Sequence, residues 1–487
     1  RTVNFWSSYL NPNSGTLAVN LNGGNIAGAG PGTGTSLSFD ANGETTLQVR
    51  YPDVGQMRLN ASYAGSGTGA GLVMTGQDNF VTRPARFVLT IPGNPAAADA
   101  SGGVFKHAGE NFTVNVEAQN ASNAITPNYG RESPAETVLL TKALVAPTGG
   151  NNPALSGSLG AFGLDCSGNP GTAGTACGTF NWPEVGIITL TPSVGDGDYL
   201  GSGDVSGAAS GNVGRFIPQH FSVVKVHGCN TFTYSNQEFT QVIVTAKNAG
   251  AVTTANYSGG FARSVDLSDG NGSAAGAFGN GTFAAGLFAG GTQTKTDVKY
   301  TFAPKETEPL TLALRATESA GDGVTSAAGP VGSEDPAEIR SGRVRLINAY
   351  GSELVPLSVP MRVEYYSADG WVTNAADTCS TLNGSILDLQ NAVHDPAQGV
   401  ATINIKVSPN MPSTVTVVSP AAGTGSLDFS APGVGGDGYA DASMNLSTRP
   451  WLQYDWDGDS TEDDPVGRAT FGLYRGSPRH IYLRERY

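Results

Sequence analysis

Phe112-Thr113-Val114-Asn115-Val116-Glu117-Ala118-Gln119-Asn120-Ala121 alternates apolar and polar residues from Phe112 to Ala118. A period of two places Phe112, Val114, Val116 and Ala118 on one face, which is the signature of a half-buried β-strand. The pattern returns, one residue longer, as Phe239-Thr240-Gln241-Val242-Ile243-Val244-Thr245-Ala246-Lys247-Asn248-Ala249. Each copy is followed by a Thr-x-Asn-Tyr tail, first Thr126, Asn128 and Tyr129, then Thr254, Asn256 and Tyr257. A strand repeated together with its tail predicts a repeated β domain.

Working outward, a second pair of segments echoes in the same way. Tyr51-Pro52-Asp53-Val54-Gly55 leads into alternating Met57 and Leu59, and Trp182-Pro183-Glu184-Val185-Gly186 into Ile188 and Leu190. An aromatic, an acid and a glycine ahead of a final strand resemble the corner of an immunoglobulin-like sandwich, and the copies lie about 130 residues apart, one sandwich length. Further alternation at Thr46–Tyr51 and 402–407 reads as strand, and the best helical stretch, 385–391, is too short for a helix. The fold expected is all-β: tandem immunoglobulin-like β-sandwiches at residues 1–82, 83–214, 215–340 and 341–487, the first one incomplete and ending in the glycine-rich run Gly65 to Gly76. The last two joints share a Gly-Arg-hydrophobic motif, Gly214-Arg215-Phe216 and Gly342-Arg343-Val344, with almost no linker, which favours an elongated rod.

Composition narrows the function. A formal net charge of −14 over 487 residues offers no basic face for a phosphate backbone, which argues against nucleic acid. No apolar run is long enough to span a membrane as a helix. The chain opens on the strand-like Arg1-Thr2-Val3-Asn4-Phe5-Trp6, so a signal or a preceding domain removed from it is an open question. The five histidines, His107, His220, His227, His394 and His480, carry no metalloprotease or nucleophile-elbow spacing, and His394-Asp395-Pro396 reads as ordinary loop sequence. A non-enzymatic protein is expected.

Four cysteines allow three pairings. Cys166 and Cys177 flank a short loop that cannot order itself by packing, and a disulfide closing it is the simplest reading in an oxidising compartment. Cys229 and Cys379 are left over, and a bridge between them would cross domains. The most chemically loaded stretch is Asp455-Trp456-Asp457-Gly458-Asp459-Ser460-Thr461-Glu462-Asp463. Asp455, Asp457, Asp459 and Asp463 hold the first, third, fifth and ninth places of a tight loop, and the carbonyl of Thr461 can add a fifth oxygen. Hard oxygens at that spacing suit a structural Ca²⁺ ion; the alternative is a solvated acidic turn. Ser460 stands where such loops carry glycine, and Val466 cannot be a twelfth ligand, so this is a short form distinct from an EF-hand. Asp196, Asp198 and Asp204 form a second acidic loop, better read as a Gly-Asp turn. The end of the chain, 474–487, is basic and aromatic and alternates at Ile481 and Leu483, as a last strand or an interaction strand would.

The joint Ser341-Gly342-Arg343-Val344-Arg345-Leu346-Ile347-Asn348-Ala349-Tyr350-Gly351, with Pro450-Trp451-Leu452, Asp455-Trp456-Asp457-Gly458-Asp459 and Ile481-Tyr482-Leu483-Arg484-Glu485, is similar to the long C-terminal region of MshQ-like proteins, encoded with mannose-sensitive haemagglutinin (type IV) pili. Val3-Asn4-Phe5-Trp6 and Tyr51-Pro52-Asp53-Val54-Gly55 fit the start of that region, so the resemblance spans the chain. It implies an exported bacterial protein at the cell surface, tied to pilus biogenesis, with pilins or other pilus-associated proteins as partners. The family has no established catalytic residues to carry over. Adhesin and structural subunit stay open, as do self-association and a glycan or host-surface ligand met by aromatics such as Trp371 or Trp451. A self-assembling filament or surface-layer subunit joined by β-strand interactions is the alternative function.

Overall fold

A computed structural model of the chain describes residues 1–389, 392–395, 400–405 and 411–472. Strands and short 3₁₀ turns make up all the regular structure, with no α-helix among the described residues. No helix there is long and apolar enough to cross a membrane. The backbone forms two compact units, Arg1–His220 with Ala246–Arg263 and Ala285–Thr292, and Phe221–Thr245 with Ser264–Ala284 and Gln293–Tyr487. The division runs through the expected third sandwich.

The second sandwich shows why the alternating pattern folds as it does. Asn111–Gln119 buries Phe112, Val114, Val116 and Ala118 and turns its polar residues outward. At about 1.5–3 kcal/mol for each large apolar side chain taken from water, this face alone drives the strand inward. It pairs with Thr175–Asn181 and Arg86–Thr90, and Ser156–Leu159 adds to the far edge. The facing sheet runs Val138–Ala146, Gly186–Val194, Val213–Ile217 and Lys106–His107. Trp182, wholly buried, packs edge-on against Phe216 between the two sheets. Its counterpart in the first sandwich is smaller. The main sheet there is Thr33–Ser36, Thr2–Asn11, Gly55–Ala64 and Val73–Thr82, opposed only by short strands at Asn20–Leu21, Gly24–Asn25 and Val49–Arg50.

Both corner glycines are required by their surroundings. Gly55 has φ +125° and Gly186 φ +139°, and a Cβ at either would sit 2.6 Å from the Asn11 carbonyl oxygen or 2.3 Å from that of Ala146. Only glycine fits such a conformation at that approach.

The remaining strands complete two further repeats. His220–Val226, Gln241–Lys247 and Thr292–Lys295 form one sheet; Thr233–Tyr234, Pro336–Arg340, Leu310–Glu318, Val265–Asp269 and Thr282–Phe283 form another. The last repeat has a seven-stranded sheet built on Leu357–Ser367 and a four-stranded sheet of Ala349–Gly351, Val466–Phe471, Gly438–Met444 and Leu387–Leu389. Its core gathers Val344, Val359, Met361, Leu427, Phe429 and Phe471.

Several expectations shift. The glycine-rich run 65–76 does not end the first sandwich: it makes the turn between Gly55–Ala64 and the start of the further strand Val73–Thr82. The expected boundary at 214/215 falls inside a strand, because Val213–Ile217 pairs with Gly186–Val194 and carries the second sandwich past residue 214. Arg215 is buried and donates Nε–H to the Gly102 carbonyl. Of 46–51, only Val49–Arg50 is strand. His394 and Asp395 lie in the strand Ala392–Asp395, not in a loop. The predicted tail strand at 474–487, with His480, lies outside the described residues, as do 406–407.

All four cysteines are bridged, Cys166 to Cys177 with Cα atoms 4.9 Å apart and Cys229 to Cys379 at 5.3 Å. The second bridge closes 150 residues of sequence and the first only 11. Loop-closure entropy then predicts that replacing Cys229 and Cys379 by serine costs about 5 kcal/mol, against about 3 kcal/mol for Cys166 and Cys177. Denaturant unfolding of the two double variants measures that difference.

Candidate functional site

The acidic loop is closed at its neck by a two-way backbone pair: Tyr454 N–H donates to the Asp463 carbonyl at 3.2 Å, and Asp463 N–H returns to Tyr454 at 3.0 Å. Asp455 organises the interior. One of its oxygens accepts from Gly458 N–H at 2.6 Å and Asp459 N–H at 3.2 Å, the other from Ser460 N–H at 3.0 Å. Ser460 takes φ +72°, the left-handed conformation for which glycine is the usual residue.

Asp455, Asp457 and Asp463 each bring a carboxylate oxygen within 4.8 Å of the others, and this exposed triad could hold a metal ion. Asp459 is not among them. Its carboxylate turns to Thr461, accepting from the amide at 2.8 Å and the hydroxyl at 2.6 Å, which pulls its pKa down. Asp463 moves the other way, raised by partial desolvation and then by the charges of Asp457, Asp459 and Asp455. Crowded carboxylates of this kind are the electrostatic condition a cation relieves. Asp464, which the spacing did not single out, anchors the loop by accepting from Leu446 N–H and the Gln453 carboxamide, both at 2.9 Å.

Beside the triad, Tyr454 and Trp456 belong to a stack centred on Arg343. The guanidinium lies 4.3 Å from the Trp371 ring centroid, 4.8 Å from Tyr454 and 5.0 Å from Trp456, and pairs with buried Glu364 at 2.8 Å. Trp371 is therefore a structural ring, half-buried between Arg343, Tyr366 and Tyr454, and Trp451 packs on the core. Neither is the open aromatic expected; Trp456 is the more exposed, at 39%.

The second acidic loop behaves as a turn. Asp196 accepts from Asp198 N–H at 3.0 Å and Asp198 from Gly203 N–H at 2.6 Å. Its charges nevertheless act on Glu136, whose pKa is raised to about 7, by desolvation first and then by Asp196, Glu132 and Asp198. A carboxyl that holds its proton more tightly folded than unfolded (ordinary value 4.5) adds no penalty at low pH. The penalty grows between about pH 4.5 and 7 and is complete above that. Glu136→Gln should therefore stabilise the first unit at pH 8 by about 1 kcal/mol once solvent screening is allowed for, raising its melting point there and leaving it unchanged at pH 4.

What the sequence patterns did not disclose is that the two echoes meet. Asp53 Oδ1 accepts from Val54 N–H at 2.9 Å and from Asn128 N–H at 3.0 Å, while the Asn128 carboxamide donates to the Tyr51 hydroxyl at 2.9 Å and the Val54 carbonyl at 3.3 Å. The second copy repeats this. Glu184 Oε1 accepts from Val185 N–H at 2.8 Å and Asn256 N–H at 3.1 Å, and the Asn256 carboxamide donates to the Val185 carbonyl at 2.9 Å. Asn120 donates to the Pro52 carbonyl at 2.7 Å and Asn248 to that of Pro183 at 2.9 Å. So the corner of one repeat is clamped by the Thr-x-Asn-Tyr tail of the next, twice, through equivalent atoms. Asp53 and Glu184 are both fully buried, and burial pushes the Asp53 pKa up. A different bracket serves residues 229–379, where Tyr234 Oη donates to Asp377 at 2.6 Å and accepts from Asn374 at 2.7 Å beside the Cys229–Cys379 bridge.

These features define a tandem all-β protein of immunoglobulin-like sandwiches. The chain belongs to the DUF6701 family, matching its first Ig-like domain at residues 1–77, its second domain at 83–176, its third at 184–341 and its fourth at 340–486. Among curated proteins none matches the sequence. Solved structures that share the tandem β pattern include InvD of Yersinia pseudotuberculosis, at 13% identity over 78% of this chain and 84% of that one, TM-score 0.24. An I67–I69 fragment of titin is similar at 9% identity over 79% and 98%, TM-score 0.22, and the D0–D1 domains of intimin at 15% over 52% and 98%, TM-score 0.15.

The clamp makes a quantitative expectation. Asn256→Ala removes a carboxamide donor from two carbonyls, those of Asn151 and Val185, and should lower the stability of the first unit by about 2 kcal/mol in denaturant unfolding. A double-mutant cycle with Glu184→Gln should show coupling of about 1–3 kcal/mol, whereas Asn181→Ala, which removes a 3.3 Å side-chain bond to Asn111 outside the clamp, should change little.

Proposed function

We propose that this chain is an exported, non-enzymatic protein of the bacterial cell surface, a structural and adhesive component associated with pili of the MshQ type. The observation that carries this reading is the repeated clamp. Two successive corners held by the same buried carboxylate and asparagine chemistry make a joint that resists bending, which suits a protein that bears mechanical load. Two closed disulfides support an oxidising, extracytoplasmic location. The MshQ resemblance supplies the pilus system, with pilins or other pilus-associated proteins as partners.

Within this reading Asp455, Asp457 and Asp463 take a structural Ca²⁺, with Asp459 and the Thr461 carbonyl joining once the ion draws the loop in. The donor set fits, being three hard anionic oxygens already close together on a loop pinned by Asp464. The role of the ion is to stiffen the last repeat beside the Arg343 stack.

Protease shaving of intact cells that express the protein should release its fragments, and deleting its gene should lower pilus-dependent adhesion while growth is unchanged. A chain retained inside the cell and protected from shaving overturns the reading. For the loop, thermal unfolding and limited proteolysis with and without Ca²⁺ decide. Saturating Ca²⁺ at a hundred times its dissociation constant should stabilise the second unit by about 2.7 kcal/mol. Asp457→Ala should abolish that response, and equal melting in both conditions would show the loop to be a turn.

A further inference from the structure

The last strand of a sandwich has an outer edge, and three of the repeats cover it in the same way. Lys106–His107 runs parallel to Phe216 and Ile217, Thr233–Tyr234 to Ile339 and Arg340, and Ala349–Gly351 to residues 469–471. In the first sandwich the corresponding strand, Val73–Thr82, is the edge of its sheet, and no strand among the described residues lies on its outer side. Its residues from Val73 to Asn79 are exposed. Exposed edges are usually protected by proline, charged side chains or a bulge, and here Asp78 is the one charge. This one carries no proline, lysine or arginine, and its ladder with Gly55–Ala64 is unbroken over ten residue pairs.

Two hydrogen bonds show which groups face outward. Gly65 N–H donates to the Leu72 carbonyl at 2.7 Å, so even-numbered residues pair inward. Asn79 N–H donates at 2.8 Å to the neighbouring Asp78 carboxylate, so the odd-numbered residues present their backbone groups to the outside. Apolar surface accompanies the open edge. Leu72, Val73 and Met74 are each more than half exposed. An apolar groove of about 390 Å³ opens between Val3, Phe39, Ala61, Tyr63 and Met74.

The geometry points to a second copy of this chain as the occupant, with two Val73–Thr82 edges paired antiparallel about a twofold axis; this rests on the surface role proposed above and adds self-association to it. The strand is self-complementary in one register. With Gln77 opposite itself, Val73 faces Val81 and Thr75 faces Asn79, so outward groups meet outward groups and about eight main-chain hydrogen bonds form, with two more once Asn79 N–H leaves the Asp78 carboxylate. Met74 then lies across from Phe80, joining the apolar end of each strand to the core-facing ring of the other. The single charge of the strand, Asp78, lies across from Gly76. Sliding by two residues sets Asp78 either against its symmetry mate or against Met74, and both lose. An isologous contact requires a surface that complements itself in this sense. The sibling edges are covered by parallel strands from within their own repeats; a twofold partner must run antiparallel, which is the one difference.

Analytical ultracentrifugation of the full chain, with Gln77→Cys and Gln77→Lys variants, tests this. All four native cysteines are bridged, so Cys at 77 adds a lone thiol. The wild type should sediment as a concentration-dependent dimer, and Gln77→Cys should become a covalent dimer under mild oxidation, because opposed residues lie within disulfide reach only in the stated register. Gln77→Lys sets like charges across the axis and should weaken the dimer about tenfold, with an unchanged melting temperature at dilutions where both chains are monomeric. A chain that stays monomeric, or a dimer that neither cross-links at 77 nor responds to lysine there, overturns the proposal. Release by shaving with no dimer would leave the surface role standing and remove only this contact, and a dimer on a protected, intracellular chain would do the reverse.

Discussion

A carboxylate buried where two sandwiches meet is the constraint on which the first unit depends. An ionised group taken out of water costs several kcal/mol unless its lone pairs find donors. Asp53 and Glu184 find them in backbone amides supplied by the following repeat, at Asn128 for one and at Ala255 and Asn256 for the other. Asp53 Oδ1 and both oxygens of Glu184 gain donors from the next sandwich beside those of their own corner, while Asp53 Oδ2 stays buried without a partner, so docking of the next repeat stabilises each corner. The asparagine completes the exchange by donating back to the valine carbonyl of the corner. Apolar contact alone would tolerate sliding at such a joint; directional bonds to named atoms do not.

The second unit meets the same problem with different chemistry. Tyr234, Asn374 and Asp377 form a short buried chain of hydrogen bonds, and the Cys229–Cys379 bridge lies beside it. Arg343, almost wholly buried, is neutralised by Glu364 and stacked against three aromatic rings. Those rings hold the base of the acidic loop, since Tyr454 closes its neck and Trp456 lies inside it. The loop carbonyls and carboxylates are therefore presented from a stiff base, and the three clustered acids are left facing outward.

Local patterns were good guides wherever a short-range rule dominates. Alternation at 112–118 became the strand Asn111–Gln119 because burying four apolar side chains on one face outweighs any alternative for that segment. The corner glycines were also plain, because no other residue can take their backbone angles at such close approach. Local reading failed where a distant partner rewrites a residue's meaning. Arg215 marked an expected boundary, yet it lies within a strand, buried and bonded to the carbonyl of Gly102, more than a hundred residues away in sequence. Trp371 looked available for recognition until Arg343 covered its face.

By itself the sequence determined the class of fold, the existence of repeats, the cysteines available for bridging and the position of the acidic loop. All of these follow from periodicity, spacing and composition, which are properties of neighbours along the chain. Only the tertiary structure decided that the aromatic-Pro-acid-Val-Gly and Thr-x-Asn-Tyr echoes are two halves of one clamp, which carboxylates of the loop converge, and which strand edge is left open among the described residues. Those facts depend on distances between residues some seventy positions apart or more, or on the direction in which a side chain or an amide points. A one-dimensional pattern carries neither.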